Sequence, residues 1–397
     1  MDEASSHKNR RWEGRNVLKI LHMKIEFYRH NLAKEDKDEV IKVLNSLFLT
    51  TGDCVAEFEK KLAKYVGSKY AVGLTSCTNA LELAVKYFGI GHEDEVITTP
   101  MSFIATANAI EYAGAKPVFV DVESNTGNID ANLIEQAITK KTKAIIVVHL
   151  YGQMCDMKRI RKIADKYKLK VIEDAAHCLE GERDGIKVGQ LGDIACYSFY
   201  ATKNLTSGEG GAISCNDKKI YEWMLRARQH GMSKNAATRY SKKYEHYDME
   251  FLGNKCNMSN IQAALMVKQL DRIEGYLDMR EKLARKYDKG FLKNKNIKTP
   301  AVISGGKHAR HLYTIWVDRD KRDEYMHLLQ DAGIGVAVNF RPIHLMKYYR
   351  EKYGYKKGSF PISEKIGDST ITLPFYIKLS DKEVKHVIDT VNTITNG

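Results

Sequence analysis

The sequence predicts an α/β protein with a large domain on a mostly parallel sheet and a small C-terminal α+β domain. Three observations carry this. Short apolar runs at 70–74, 95–99 and 144–149 alternate with helical stretches such as 157–167, the pattern of strands joined by helical crossovers. The stretch 168–214 holds two further runs, broken by Gly181, Gly185, Gly189 and Gly192, with polar residues at their carboxyl ends. That is where open α/β sheets place their ligands. Beyond 308, strands at 313–317 and 335–338 mix with helices at 322–332 and 381–394, which reads as a separate unit.

Composition narrows the class. At 397 residues the chain holds two or three domains, or one large one with an appendage. An apolar fraction of 43% and a charged fraction of 28% are those of a soluble globular protein. Lys+Arg 63 against Asp+Glu 50 gives +13, but the basic residues are scattered. That argues against a nucleic-acid or membrane surface and leaves room for phosphorylated ligands. Seven cysteines without a C-x-x-C pair argue against a disulfide scaffold or a zinc site and fit reduced thiols in the cytoplasm. No run reaches the ~18 apolar residues of a membrane span.

In chain order, residues 1–24 are polar and basic, without an apolar core of the secretory kind, and read as a flexible tail; Met23 offers a second start. Two amphipathic helices follow, at 34–47 and 55–66. After the strand at 70–74, small hydroxyl residues at 75–79 lead into a helix at 80–87, a natural phosphate seat or an ordinary helix cap. The strand at 95–99 turns through Pro100-Met101-Ser102-Phe103 into a helix reaching 113. Residues 233–251 are polar and tyrosine-rich and read as a loop. A single long helix is expected from 261 to about 292, linking the domains. The divisions are 1–24 for the tail, 25–270 for the large domain and 271–397 for the linking helix and small domain.

The central stretch carries the chemistry. Asp174 closes one apolar run and Lys203 follows the next. A lysine in a dry pocket can lose its proton and join a carbonyl as a Schiff base. Pyridoxal 5′-phosphate offers such a carbonyl, and an acid beside its ring nitrogen keeps that nitrogen protonated. Ser198 could donate to its phosphate and His177 could reach its ring hydroxyl. Taken singly, Asp174 would cap a helix and Lys203 would be a solvated loop lysine. With Gly208-Glu209-Gly210-Gly211 behind them, the joint reading is the stronger.

The stretch resembles the DegT/DnrJ/EryC1/StrS family of PLP-dependent sugar-nucleotide aminotransferases. Glu173-Asp174-Ala175-Ala176-His177 matches its E-D-A-A-H/Q element, Ser198 to Asn204 its S-F-x-x-x-K, and Gly208 to Gly211 its G-E-G-G. The likeness runs from about Phe27 to the C-terminus. It implies an aspartate-aminotransferase-like, PLP fold-type I, three-layer large domain. It implies Lys203 as the cofactor-binding lysine, Asp174 as partner of the pyridine nitrogen, and Thr78 with Cys77 (glycine in the family) at the phosphate. Phe103 takes the place of an aromatic lying flat on the ring. Lys255 stands where the family has an asparagine that reaches the neighbouring subunit's phosphate, which implies a homodimer with shared active sites. Arg341 and His344 fall in a loop over the site and are candidate substrate contacts.

By this resemblance the chain moves an amino group from glutamate to a nucleotide-linked keto-sugar. His177 and the contexts TTPMSFIATANAIEY and HLYGQMCDM lean towards a UDP- or dTDP-4-keto-6-deoxyhexose. A 3-keto-sugar acceptor, a PMP-dependent dehydratase and a non-catalytic basic interaction protein are the competing expectations. The dehydratases lack the lysine, which Lys203 counts against.

Overall fold

The computed structural model describes residues 23–233 and 246–396. Residues 1–22 of the expected tail and 234–245 of the expected loop lie outside the described residues.

Seven strands form the central sheet: β1 (Tyr70–Leu74), β2 (Glu95–Thr98), β3 (Lys116–Phe119), β4 (Thr142–Val148), β5 (Lys170–Asp174), β6 (Ile194–Ser198) and β7 (Gly211–Cys215). Their spatial order is β1-β7-β6-β5-β4-β2-β3. All are parallel except β7, which runs antiparallel between β1 and β6. Successive side chains on a strand point to opposite faces, and here both faces are apolar. Ile145, Val147, Val171 and Ala195 enter one cluster with Phe58, Leu62, Ile160 and Met266 from the helices Asp53–Val66, Met157–Tyr167 and Asn260–Asp271. Ala144, Ile146, Ile172 and Ile194 enter another with Leu81, Ile110 and Met224 from Cys77–Tyr87, Ala105–Tyr112 and Lys218–Ala227. The layers are therefore helix, sheet, helix, the fold-type I arrangement.

A third core lies C-terminal. It joins Leu283, Tyr287 and Phe291 of the helix Ile273–Phe291 to β8 (Tyr313–Trp316), β9 (Thr370–Leu373) and the helix Asp381–Asn396. Ile25 also packs here, and its carbonyl accepts from Gly335 N at 2.8 Å. Ile25, at the start of the expected large domain, thus packs with the C-terminal core.

Two further expectations are corrected. The single long helix is two, Asn260–Asp271 and Ile273–Phe291, separated at Arg272. The Arg272 guanidinium reaches both oxygens of the fully buried Asp36 at 2.7 and 2.8 Å, an anchor that holds the break. The expected strand at 335–338 reduces to isolated bridges, Ile334 to Ile25 and Ala337 to Thr372, because the segment changes partner within three residues. Among the described residues no helix is long and apolar enough to cross a membrane.

Candidate active site

The carboxyl ends of the parallel strands and the start of β7 lie at one edge of the sheet. Pairing of Ser198 with Gly211, Leu74 with Gly211 and Val148 with Asp174 brings their loops together. Gly211 has a steric reason: a Cβ there would collide with the backbone of Ser76 and Cys77. Only glycine lets β7 begin this close to the start of the helix Cys77–Tyr87. Ser76 caps that helix, its Oγ accepting from Asn79 N at 3.1 Å. The first-turn N–H groups of Cys77 and Thr78 have no acceptor within the helix and carry its positive end.

Asp174 is buried at the end of β5. Its Oδ2 accepts from Thr106 Oγ1 at 2.7 Å and its Oδ1 from Ala176 N at 3.1 Å. Cys77 Sγ lies 3.9 Å from Oδ1. Burial pushes the Asp174 pKa up, and the bonds from Thr106 and Ala176 and the charge of Lys203 oppose this.

Lys203 Nζ lies 3.4 Å from His311 Nε2. The proton on His311 can be placed. Asn204 Nδ2 donates to Glu180 at 3.1 Å and to the Ala309 carbonyl at 2.8 Å, which turns its Oδ1 toward His311 Nδ1 at 3.4 Å. Nδ1 therefore carries the hydrogen and Nε2 presents its lone pair to the lysine. His177 is fixed too: Tyr151 N donates to its Nδ1 at 3.3 Å, so its proton sits on Nε2. Burial and the Lys203 charge hold both imidazoles well below the usual histidine range. Gly152 permits this packing, since its φ of +106° and a Cβ 3.0–3.1 Å from Arg310 N, His311 N and the His177 carbonyl exclude other residues.

The remaining expected residues divide. Ser198, half-buried at the end of β6, lies at the same edge as Asp174, and Phe103 is 57% exposed, its ring 6.2 Å from that of Phe340. The Phe340 ring stacks on His177 at 5.6 Å. Lys255 is exposed and donates to Asn257 Oδ1 at 2.5 Å. Arg341 is exposed. His344 is a correction: it is fully buried, with Nε2 2.9 Å from Glu364 Oε1 and its ring 4.8 Å from Phe360. That pairing takes it out of reach of a ligand. Sequence reasoning missed Thr106, Ser102, Asn204 and His311. Thr106 had a local signal, a hydroxyl one turn after Ser102 at the start of a helix; His311 had none.

Burial pulls the Lys203 pKa down to about 8, opposed by the Asp174 carboxylate. Only the neutral amine adds to an aldehyde. Covalent capture of added pyridoxal 5′-phosphate by the apoprotein should therefore rise with pH and level off above about pH 8. Stopped-flow absorbance across pH 6–11 checks this; a rise continuing to the ordinary lysine range, about 10.4, would show a solvated amine.

A poised lysine, a buried acid and a helix N-terminus at one edge of a fold-type I sheet define a pyridoxal-phosphate enzyme. The model of the DegT/DnrJ/EryC1/StrS aminotransferase family matches residues 30–392, and the chain belongs to that family. Spore coat polysaccharide biosynthesis protein SpsC of Bacillus subtilis (strain 168) is 42% identical over 372 residues, 92% of this chain and 96% of that protein. The UDP-4-amino-4,6-dideoxy-N-acetyl-beta-L-altrosamine transaminase of Campylobacter jejuni is 35% identical over 376 residues, 93% and 97% of the two chains. Among solved structures, Spr1654 from Streptococcus pneumoniae in its PMP form has a TM-score of 0.89 at 32% identity, covering 94% of this chain and 99% of that one. The protein is a PLP-dependent sugar aminotransferase. Its residues fit the cofactor: the first-turn N–H groups of Cys77 and Thr78 suit a phosphate, and the Asp174 carboxylate, which accepts from Thr106 and Ala176, suits a pyridinium.

Proposed function

We propose that this enzyme moves an amino group from glutamate to a nucleotide-linked keto-sugar, a UDP- or dTDP-4-keto-6-deoxyhexose, making a 4-amino sugar nucleotide. The observation that carries the reading is Lys203, its pKa drawn to about 8, facing the lone pair of His311 within the field of Asp174. The 4-amino-4,6-dideoxy product in the Campylobacter relative's name supports the choice of sugar.

Bound pyridoxal 5′-phosphate supplies an aldehyde for amines and a ring that takes up the electron pair left when a proton departs. The chain does the rest. Cys77 N–H, Thr78 and Ser198 would hold the phosphate, and Phe103 would cover the ring. The Asp174 carboxylate would face the ring nitrogen. His177 would donate from Nε2 to the ring hydroxyl. Lys203 Nζ, roughly a tenth of it neutral at pH 7 for such a pKa, would take the proton from the substrate α-carbon as general base and give it back from the same face as general acid. Arg341, exposed next to Phe340 in the chain, would meet the nucleotide diphosphate.

The working form is a cytoplasmic homodimer. Ile41, Leu44, Leu47 and Leu49 are 45–88% exposed, four apolar side chains within one short segment. It leads into Thr51, whose Oγ1 accepts from Asn257 Nδ2 at 2.7 Å, beside Lys255. A second copy covering this run brings Lys255 to the partner's cofactor phosphate.

The test is a screen of UDP-, dTDP- and GDP-linked 4-keto and 3-keto sugars with glutamate, the amine located in each product by NMR. A 4-amino product from a UDP or dTDP sugar is expected. Preference for a 3-keto sugar would overturn the assignment.

A further inference from the structure

Asp174 does not hold its carboxylate alone. Thr106, in the first turn of the helix Ala105–Tyr112, donates to Oδ2 at 2.7 Å, and Ser102 Oγ lies 2.8 Å from Thr106 Oγ1. Both hydroxyl residues are buried, at 1% and 4% exposure. Chemistry fixes the direction of the bonds. An ionised carboxylate only accepts, and a hydroxyl has one hydrogen. Thr106 therefore gives its hydrogen to Asp174 and must accept from Ser102. A threonine this early in a helix ordinarily bonds a neighbouring backbone group; here it bonds two side chains, and one is the acid of the site. Ala176 N occupies the other oxygen at 3.1 Å.

We propose that Thr106, backed by Ser102, is a positioning residue that keeps Asp174 ionised and aimed, and thereby sets the proton on the cofactor's ring nitrogen. The inference rests on the reading that Asp174 meets that nitrogen. Other charged or titratable groups face the carboxylate as well: Lys203 after β6, His149 after β4, Cys77 at its helix start and Cys196 on β6. Burial raises the Asp174 pKa, and of the bonds and charges opposing this the Thr106 hydroxyl is the largest. A chain of two donors also polarises itself, strengthening the bond that reaches the carboxylate. The Ser102 hydroxyl shares its turn with Phe103, so the loop that would cover one face of the ring also feeds the acid at its edge.

The experiment loads the enzyme with ring-¹⁵N-labelled pyridoxal 5′-phosphate and follows the ring nitrogen by NMR against pH. Thr106→Val keeps the shape and removes the donor. Without that donor the carboxylate is a stronger base, so the pH at which the Asp174–ring nitrogen pair gives up its shared proton should rise by about one to two pH units, and below it the ¹⁵N signal should move toward that of a neutral nitrogen as the proton is drawn to Asp174. Ser102→Ala should raise the midpoint less, and Thr106→Ser, which retains the donor, should keep the parental midpoint. kcat should fall in Thr106→Val with little change in the KM for glutamate. A parental midpoint in both Thr106→Val and Ser102→Ala would overturn the proposal, even if one of them folds poorly. Asp174→Asn in the same series separates the two readings. If it shifts the midpoint and Thr106→Val does not, only the hydroxyl chain is wrong; if neither shifts it, the placement of Asp174 is wrong as well.

Discussion

Lys203→Ala is expected to bind the cofactor and to lose transamination. A proton-transfer group typically contributes about 10²–10⁴-fold in rate, and the variant loses the covalent anchor besides. On the proposed reading, the helix start at Cys77 and Thr78, the Asp174 carboxylate and the His177 donor would still hold the cofactor. His177 and His311 are weak substitutes as bases, because burial holds their pKa values well below the usual histidine range, and only the smaller contribution of the Lys203 charge is lost in this variant. The Cys77 thiol is pushed well above its ordinary value by burial beside Asp174. The checks are absorbance of retained cofactor after gel filtration and single-turnover rates with glutamate. Activity within a few-fold of the parent would show that Lys203 does not carry the proton.

What the sequence reveals follows from how locally each feature is encoded. Both faces of the sheet are apolar, so β4 reads as a continuous apolar run from Ala144 to Val148, while β5 shows only Val171 and Ile172 before its polar end. Asp174 and Ser198 end neighbouring parallel strands, and His177 and Lys203 follow them within the same stretch of chain. Thr106 is 68 residues from Asp174 and His311 is 108 from Lys203. Their roles exist only after the loops converge, so no spacing announces them. The same holds for the helix break at Arg272, whose partner Asp36 lies 236 residues away. His344 fails for the opposite reason. Its motif position is legible, but burial against Glu364 and Phe360 is a property of packing.

Asp174→Asn should fold, bind cofactor and turn over about 10²–10⁴-fold more slowly. The end of β5 is held by more than Asp174. The neighbouring Glu173 is fully buried and bonded to His149 at 2.9 Å, Gly189 N at 2.8 Å and Gly192 N at 2.6 Å. An asparagine therefore occupies the same place, and its Oδ1 can still accept from Thr106. What changes is the charge. A buried pair that loses one member leaves the other uncompensated, at a cost of about 3–5 kcal/mol. Where that loss falls on the transition state, it corresponds to the two to four decades stated, at about 1.4 kcal/mol each. A neutral ring nitrogen is a poorer acceptor for the electron pair released at the substrate carbon, so the loss should appear in kcat with the KM for glutamate little changed. Steady-state kinetics on the cofactor-saturated variant measure it. Turnover within tenfold of the parent would show that the charge at Asp174 is not what holds the ring proton.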